Sequence, residues 1–553
     1  VADAMPDPAA HPTPTPHIGG LGSRTFVGLL VAQFFAAFND QAIHAAAMFF
    51  AINKQLMTEK TAISLMPILF YSPWAIFCTV AGHLADKYPK RNTLIVWKVA
   101  EVVICGVALV GFYLGTDPEK RFDVIGPVVV LACVFLMGVH SAFFVPAKYG
   151  VMPEILPPHL LSKGNGMLES LSFLAVILGT VSGGVMSYLF LGQEQNIGWV
   201  LFGLAVVGAA ASFMIRPMPA ANPHRTLPLN VYGPIVQSLR TLLSTKPLRV
   251  AIMGIAFFTF VVAFMRTAVY MLGESQNPRW DELKTSVIVG TVALGIGLGS
   301  PLAGLLSGRR VELRLVLLGA VGMITLLCVA AWQLTNTPVL VACIIGVGVF
   351  TGFYIVPLFT LLQHRAPKTS KGEMIATSNF VNVVGAITSS ALFWLVVTVA
   401  QMGGLAPEIK DRDVLGSGEL KSVEYRHGRP AYFTVTDGEG KSIVPDVVLE
   451  EEKPRTVQEV IDDVIGREKK DAVIEVGKGL RPGVRVDVTK FELDGVPHYE
   501  LSPTGMKLSV TPDFDNKRLP TYLFLGAAGM TLLIALALCR PLLQVQKEES
   551  EHK

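Results

Sequence analysis

Twelve stretches of about 20 apolar residues recur along the chain, and that is the length an α-helix needs to cross the hydrocarbon core of a bilayer. They lie near 26–51, 62–83, 93–115, 124–146, 164–190, 197–216, 248–273, 285–307, 313–334, 338–362, 373–401 and 519–542. In lipid every backbone N–H and C=O must be paired inside the segment, so runs of this kind predict helices. Composition agrees: 51% of the 553 residues are hydrophobic and 16% charged, against about a quarter charged in soluble domains. The pattern excludes a soluble enzyme, and a net charge of +3 gives no footprint for nucleic acid. The six cysteines, Cys78, Cys105, Cys133, Cys328, Cys343 and Cys539, sit in or at the end of apolar runs without a CxxC pair. Neither a disulfide framework nor a zinc site is expected, nor any cofactor.

Charge in the short loops predicts orientation. Lys87, Lys90 and Arg91 follow span 2; Arg225, Arg240, Lys246 and Arg249 follow span 6; Arg309, Arg310 and Arg314 follow span 8; Arg365, Lys368 and Lys371 follow span 10. The odd-numbered loops mix signs, as in Asp117, Glu119, Lys120, Arg121 and Asp123. Both termini are therefore expected in the cytoplasm. Residues 1–23 read as a disordered cytoplasmic N-terminus without a cleavable signal, so the first span is expected to act as the membrane signal. The remaining divisions are a six-helix half at 24–216, a cytoplasmic linker with an interfacial helix at 217–246, and the first five helices of a second half at 247–401. An extracytoplasmic α+β domain is expected at 402–518, then helix 12 and a cytoplasmic tail at 519–553. In that insert, AYFTVTD, DAVIEVGKG, VRVDVTKFEL and MKLSVTP alternate as strands, and TVQEVIDDVIGREKK reads as a helix.

The chain repeats itself at an offset of about 210 residues. SAFFVPAKYGVMPEILPPHLLSKGNGMLES near span 4 parallels TGFYIVPLFTLLQHRAPKTSKGEMIATS near span 10, with Val145–Pro146 matching Val356–Pro357 and Ser162–Lys163–Gly164 matching Ser370–Lys371–Gly372. Duplicated halves predict a substrate route between them, near the bilayer midplane. GHLADKYPKR after span 2 (Gly82, Asp86, Lys87, Lys90, Arg91) resembles the gating signature of the major facilitator superfamily, with Pro89 where Gly is usual. There, Gly82 is expected to let helices approach closely, and Asp86 to cap a helix or pair with cations. GLLSGRR, the later counterpart, lacks the acid.

Ionisable residues inside spans are costly and are functional candidates by default. Asp40 lies roughly 20 Å into span 1, within AQFFAAFNDQAIHAAAMFF. Arg266 lies at comparable depth in span 7, the repeat equivalent of span 1, so the two spans are expected to face each other across the cavity. Glu169 and Lys148 lie in the cytoplasmic halves of spans 5 and 4. Asn39 and His44 are secondary candidates. Lys98 and Glu101, one turn apart, read as a local structural pair. Structural pairing among all these charges is the alternative reading. As a site, Arg266 or Lys148 would hold a phosphate, and Asp40 or Glu169 an ammonium or a proton.

AQFFAAFNDQA, FFVPAKYGVMPEILP, SKGNGMLESLSFLAVILGTVSGG and GFYIVPLFTLLQHRAPK resemble the lysophospholipid transporter family of bacterial inner membranes, over most of 24–400. The resemblance implies a twelve-helix protein, not an enzyme, that flips lysophosphatidylethanolamine inward without ATP for a separate cytoplasmic acyltransferase. It assigns the family's embedded acid to Asp40, the PAKYG lysine to Lys148, the GNGxxE glutamate to Glu169 and the span-7 arginine to Arg266. The 402–518 insert departs from ordinary members, and its roles stay open: selecting substrate, docking an envelope partner, or shielding the exit. Asn39 stands where Gly is common, and the HxxxxD pair of fused acyltransferases is absent. GIGLGSPLAG reads as helix packing and DGEGKS as a hairpin turn, because Val435 occupies the first Gly position of a P-loop. Two rival functions remain: a proton-coupled carrier of drugs or soluble metabolites, and a non-transporting sensor using 402–518.

Overall fold

The computed structural model describes residues 19–116, 124–220, 223, 232–276, 279–307, 312–365, 371–409, 412–426, 429–445, 472–477, 480, 482–493, 495–504 and 513–551. The helices are α1 (Arg24–Asn53), α2 (Glu59–Lys87), α3 (Lys90–Thr116), α4 (Ile125–Ile155), α5 (Pro158–Leu189), α6 (Gln195–Ser212), α7 (Gly233–Ser244), α8 (Lys246–Glu274), α9 (Glu282–Ser307), α10 (Arg314–Trp332), α11 (Thr337–Arg365), α12 (Lys371–Met402) and α13 (Leu519–Glu551). Twelve of them, all but α7, are long and apolar enough to cross a membrane. Local chemistry starts several. Ser23 caps α1, its hydroxyl accepting from the Phe26 amide at 3.3 Å, and proline opens α5, α7 and α8, where a missing N–H costs nothing.

The two halves pack by one rule. In α1–α6, the first helix touches the fourth, fifth and sixth, and the third touches the fourth and sixth; the second lies on the fourth. In α8–α13 the same pairs recur: α8 with α11, α12 and α13, α10 with α11 and α13, α9 with α11. The two halves meet along α5–α9 and α2–α12, which are again equivalent pairs. Glycine sets the closest approaches. A Cβ on Gly299 would lie 2.2 Å from the Val349 carbonyl, and one on Gly352 would lie 2.5 Å from the Ser300 amide. GIGLGSPLAG is therefore the face on which α9 and α11 touch. Gly82 does not fit its expected role: a Cβ there meets open space, so close approach is not what it provides in this conformation.

Between α12 and α13 the chain forms a β half-barrel rather than a further helix pair. Its strands are β1 (Asp413–Arg426), β2 (Arg429–Thr436), β3 (Ser442–Ile443), β4 (Val473–Val476), β5 (Arg485–Leu493) and β6 (Val496–Pro503), in the order β3-β2-β1-β5-β6-β4. All pairs are antiparallel except β4 with β6. Leu420, Phe433, Val435, Val486, Val488, Tyr499 and Leu501 form its core. β1 bulges between Val414 and Gly416, and Gly416 has φ +153°. DGEGKS is the β2–β3 turn: the Asp437 carboxylate accepts from the amides of Glu439 (3.0 Å) and Lys441 (2.8 Å), with Gly440 at φ +81°. The alternation in AYFTVTD, DAVIEVGKG and VRVDVTKFEL falls on β2, β4 and β5; β1 and β6 were not legible. The N-terminal residues 1–18, the helix read at 456–470, the strand in MKLSVTP, and Asp117, Glu119, Lys120, Arg121, Asp123, Arg225, Arg309, Arg310 and Lys368 lie outside the described residues.

A short neck joins this segment to the helices. The Ile409 amide donates to the Asp513 carbonyl and the Asp515 amide to the Pro407 carbonyl, both at 2.8 Å. Arg412 pairs with Glu500 at 2.9 Å.

Candidate functional site

α1 packs on α4, α5 and α6 and reaches the second half through side chains, so its polar residues divide among its neighbours. Asp40 accepts a hydrogen bond from Ser141 on α4. Gln41 and His44 share another face and meet α8, where Arg266 Nη1 donates to Gln41 Oε1 at 3.1 Å and Nη2 lies 3.4 Å from His44 Nδ1. Arginine only donates, so His44 Nδ1 is the acceptor and Nε2 carries the hydrogen. Span 7 thus reaches span 1 through Gln41 and His44 rather than through Asp40. A step of one residue rotates an α-helix by about 100°, so Gln41 takes the arginine and Asp40 turns to α4. Arg266 Nε, His44 Nε2 and the hydroxyl of Tyr270, one turn beyond Arg266, are buried without a hydrogen-bond partner.

Lys148 is buried on α4. Its ammonium donates to Gln33 Oε1 at 2.8 Å and stands 4.8 Å from the Tyr149 ring centroid. Gln33 Nε2 donates in turn to Ser172 Oγ at 2.6 Å, tying α1, α4 and α5 together. Glu169 lies on α5, and its side chain is outside the described residues. Asn39 points into the first half: its Nδ2 donates to Glu101 Oε1 at 2.9 Å and to the Leu201 carbonyl at 3.3 Å. Lys98 Nζ bonds Glu101 Oε2 at 2.5 Å. The i,i+3 pair read in the sequence is therefore one part of a larger cluster.

Around the GHLADKYPKR turn, Lys90 pairs with Glu154 at the end of α4, and Arg91 Nε donates to the Ile215 carbonyl at 2.7 Å. Both contacts stay within the first half. Asp86 and Lys87 close α2, two residues before α3.

The halves are closed at the end that carries the half-barrel. Residues 39–52 of α1 and 267–275 at the end of α8 are buried without interruption. Asn53 donates to Glu282 at 3.0 Å, Arg279 to Glu59 at 2.8 Å, and Lys60 to Gln401 at 2.7 Å. Gln401 also donates to Asn516 beside the neck at 3.1 Å. Burial of Arg279 works against its charge, but the carboxylates of Glu274, Glu59, Glu475 and Glu282 outweigh it and raise its pKa. Glu475 belongs to β4, so the half-barrel reaches this latch.

Sequence reasoning missed Gln41, Ser141, His140, Gln33 and Arg279. A signal existed for some: Gln41 flanks a buried acid, and His140–Ser141 is a polar pair inside an apolar run. Among the described residues, no group of three or more His, Cys, Asp or Glu is placed to hold a metal.

The chain is 28% identical over 389 residues to "Lysophospholipid transporter LplT" of Klebsiella pneumoniae (strain 342), covering 68% of this chain and 90% of that protein. It is 27% identical to the protein of the same name from Yersinia pestis (strain Pestoides F), covering 68% and 87%. Among solved structures, a bacterial homologue of the human lysosomal transporter Spinster, inward-facing and unoccupied, superposes with a TM-score of 0.53 at 13% identity over 70% of this chain and 85% of its own. A POT family transporter bound to 5-aminolevulinic acid superposes with a TM-score of 0.51 at 15% identity, over 70% and 94%. These superpositions share the fold alone. Residues 29–390 match the sequence profile of the Major Facilitator Superfamily; with its twelve candidate spans and twice-used helix packing, the chain belongs to that superfamily of transporters.

Proposed function

We propose that the protein moves lysophospholipids of the lysophosphatidylethanolamine type inward across the bacterial inner membrane by alternating access. The observation that carries this reading is the placement of opposite charges on adjacent faces of α1, Asp40 toward α4 and Arg266 of α8 on Gln41 and His44. A zwitterionic phosphate ester presents the complementary pair. The unmet donors of Arg266 Nε, His44 Nε2 and Tyr270 suit its phosphate, since buried donors seek acceptors. Asp40 suits its ammonium. The distant likeness to LplT proteins over two thirds of the chain supports a lipid substrate. In this reading both termini and the α7 linker are cytoplasmic, and the half-barrel lies outside, so the conformation described is sealed toward the exterior. Lys148, with Glu169 assigned by the family resemblance alone, belongs to the cytoplasmic side of the route, and the α2–α3 turn gates it. A separate acyltransferase would consume the lipid inside, and an envelope partner would meet the half-barrel.

The test is flipping of labelled lysophosphatidylethanolamine in proteoliposomes, with Asp40→Asn as control. Loss of a charge-assisted contact worth about 1.5–3 kcal/mol predicts roughly 10- to 100-fold less flux in the variant. No flipping by folded wild-type protein would overturn the lipid reading and turn attention to soluble solutes, which this fold also carries in other proteins.

A further inference from the structure

Adjacent residue pairs on α1 and α4 connect Asp40 to a second ionisable cluster. Asp40 meets Ser141, while the residue before each, Asn39 and His140, reaches the Glu101 carboxylate: Asn39 Nδ2 at 2.9 Å and His140 Nε2 at 3.4 Å. Asn39, Lys98, Glu101 and His140 are all 0% exposed. Well-packed apolar side chains would hold three helices at least as well as an ion pair buried this deeply, so packing does not explain the cluster. Two further features point to a ligand. Nδ1 of His140 lacks a hydrogen-bond partner, as does Oδ1 of Asp40, and Nε2 of His140 has only its 3.4 Å approach to Glu101.

We propose that His140, held against Glu101, binds a proton that is exchanged for the cationic group seated at Asp40. The groups facing this pair are Asn39 and Asp40 from α1 and Lys98 and Cys105 from α3; behind them Cys133 of α4 faces Cys105, Ser141 of α4 faces Asp40, and Lys148, further along α4, also acts on Asp40. From α6 the cluster meets the Leu201 carbonyl. Lys98 and Glu101 offset each other, which leaves Lys148, about two turns along α4 from Ser141, as the remaining cation acting on Asp40. An imidazolium at His140 supplies a further positive charge while the site is empty. A substrate ammonium arriving at Asp40 brings its own positive charge, repels the imidazolium, and the proton leaves His140 for water. Because the two contacts sit one residue apart on each of two helices, any shift of α1 against α4 moves both together. The exchange rests on the headgroup reading of Asp40; the proton site itself does not.

Calorimetric titration of lysophosphatidylethanolamine into the full-length protein at about pH 7, repeated in buffers of different ionisation heat, counts protons exchanged per lipid bound. About one proton is expected to leave per lipid in wild type, and close to none in His140→Gln or Glu101→Gln, with folding checked by thermal melting. The double variant Lys98→Met/Glu101→Leu keeps the site apolar and is expected to fold yet lose the exchange, which preserves the test where a single variant does not fold. Lipid binding without proton exchange in wild type, or unchanged exchange in folded His140→Gln, overturns the proposal. If wild type binds no lysolipid, the lipid reading is what fails, and histidine nitrogen resonances recorded without substrate decide the proton site. A signal missing from His140→Gln that titrates between about pH 5 and 9 supports it; one that stays constant overturns it.

Discussion

At the residue scale, the unit of design is the polar side chain that turns a charge toward one neighbour. Arg266 reaches two acceptors with different nitrogens, Gln41 Oε1 and His44 Nδ1, and its planar fork fixes the two directions, which a freely rotating ammonium does not. Arg266→Lys retains the charge but not the geometry, so it is expected to lower lysolipid flux by about 10-fold, with insertion and melting temperature close to wild type. Flux equal to wild type in proteoliposomes would return Arg266 to a structural role. Gln41→Ala tests the same contact from α1. It should weaken transport in the same direction, because it frees the arginine rather than removing it.

At the element scale, helix ends carry the polar contacts that join the two halves. α1, α2, α8 and α9 converge at the half-barrel end, and Arg279 there bonds Glu59 of the opposite half while pairing with Glu274 of its own at 3.0 Å. Opening that end must break the Glu59 contact and the Lys60–Gln401 contact. Removing one charge-assisted hydrogen bond of about 1.5–3 kcal/mol would raise the open-to-closed ratio roughly 10- to 100-fold. Spin labels on the α1–α2 and α8–α9 loops of Glu59→Gln should therefore report a broader, longer distance distribution than wild type. An unchanged distribution would show that the apolar contact, including Phe49 against Tyr270 at 6.0 Å between centroids, holds the end shut alone.

At the scale of the whole molecule, the half-barrel is an addition to a fold that is complete without it. Its own core is separate from the helix cores, and its neck leaves and rejoins the chain at one place, Glu408 opposite Phe514. Replacing the residues between these points with a short linker is expected to leave a transporter that still inserts and still flips lipid. It should be less firmly closed at that end, because Glu475 is lost from around Arg279. Complete loss of flux from a folded, inserted deletion would instead favour the sensor reading, or a direct part for the half-barrel in substrate delivery.

Legible in the sequence were the twelve candidate spans, the duplication, the strand alternation in β2, β4 and β5, and the ionisable residues inside those spans. These follow from local rules: backbone pairing in lipid demands long apolar helices, and a buried charge stands out against them. What the tertiary structure alone decided is which charge meets which partner. Asp40 and Gln41 are neighbours in sequence but point to different halves, because successive helical residues point in different directions. Lys98 and Glu101 read as a local structural pair within one span, and only the tertiary structure brings Asn39 of α1 and His140 of α4 to the same carboxylate. Gly82 reads as a close-packing residue yet has space around it, while Gly299 and Gly352 do not. Arg279 sits in a polar loop where nothing local marks it. Its importance comes from four carboxylates brought there by α2, α8, α9 and β4, and contacts between segments so far apart in the chain are set by packing alone.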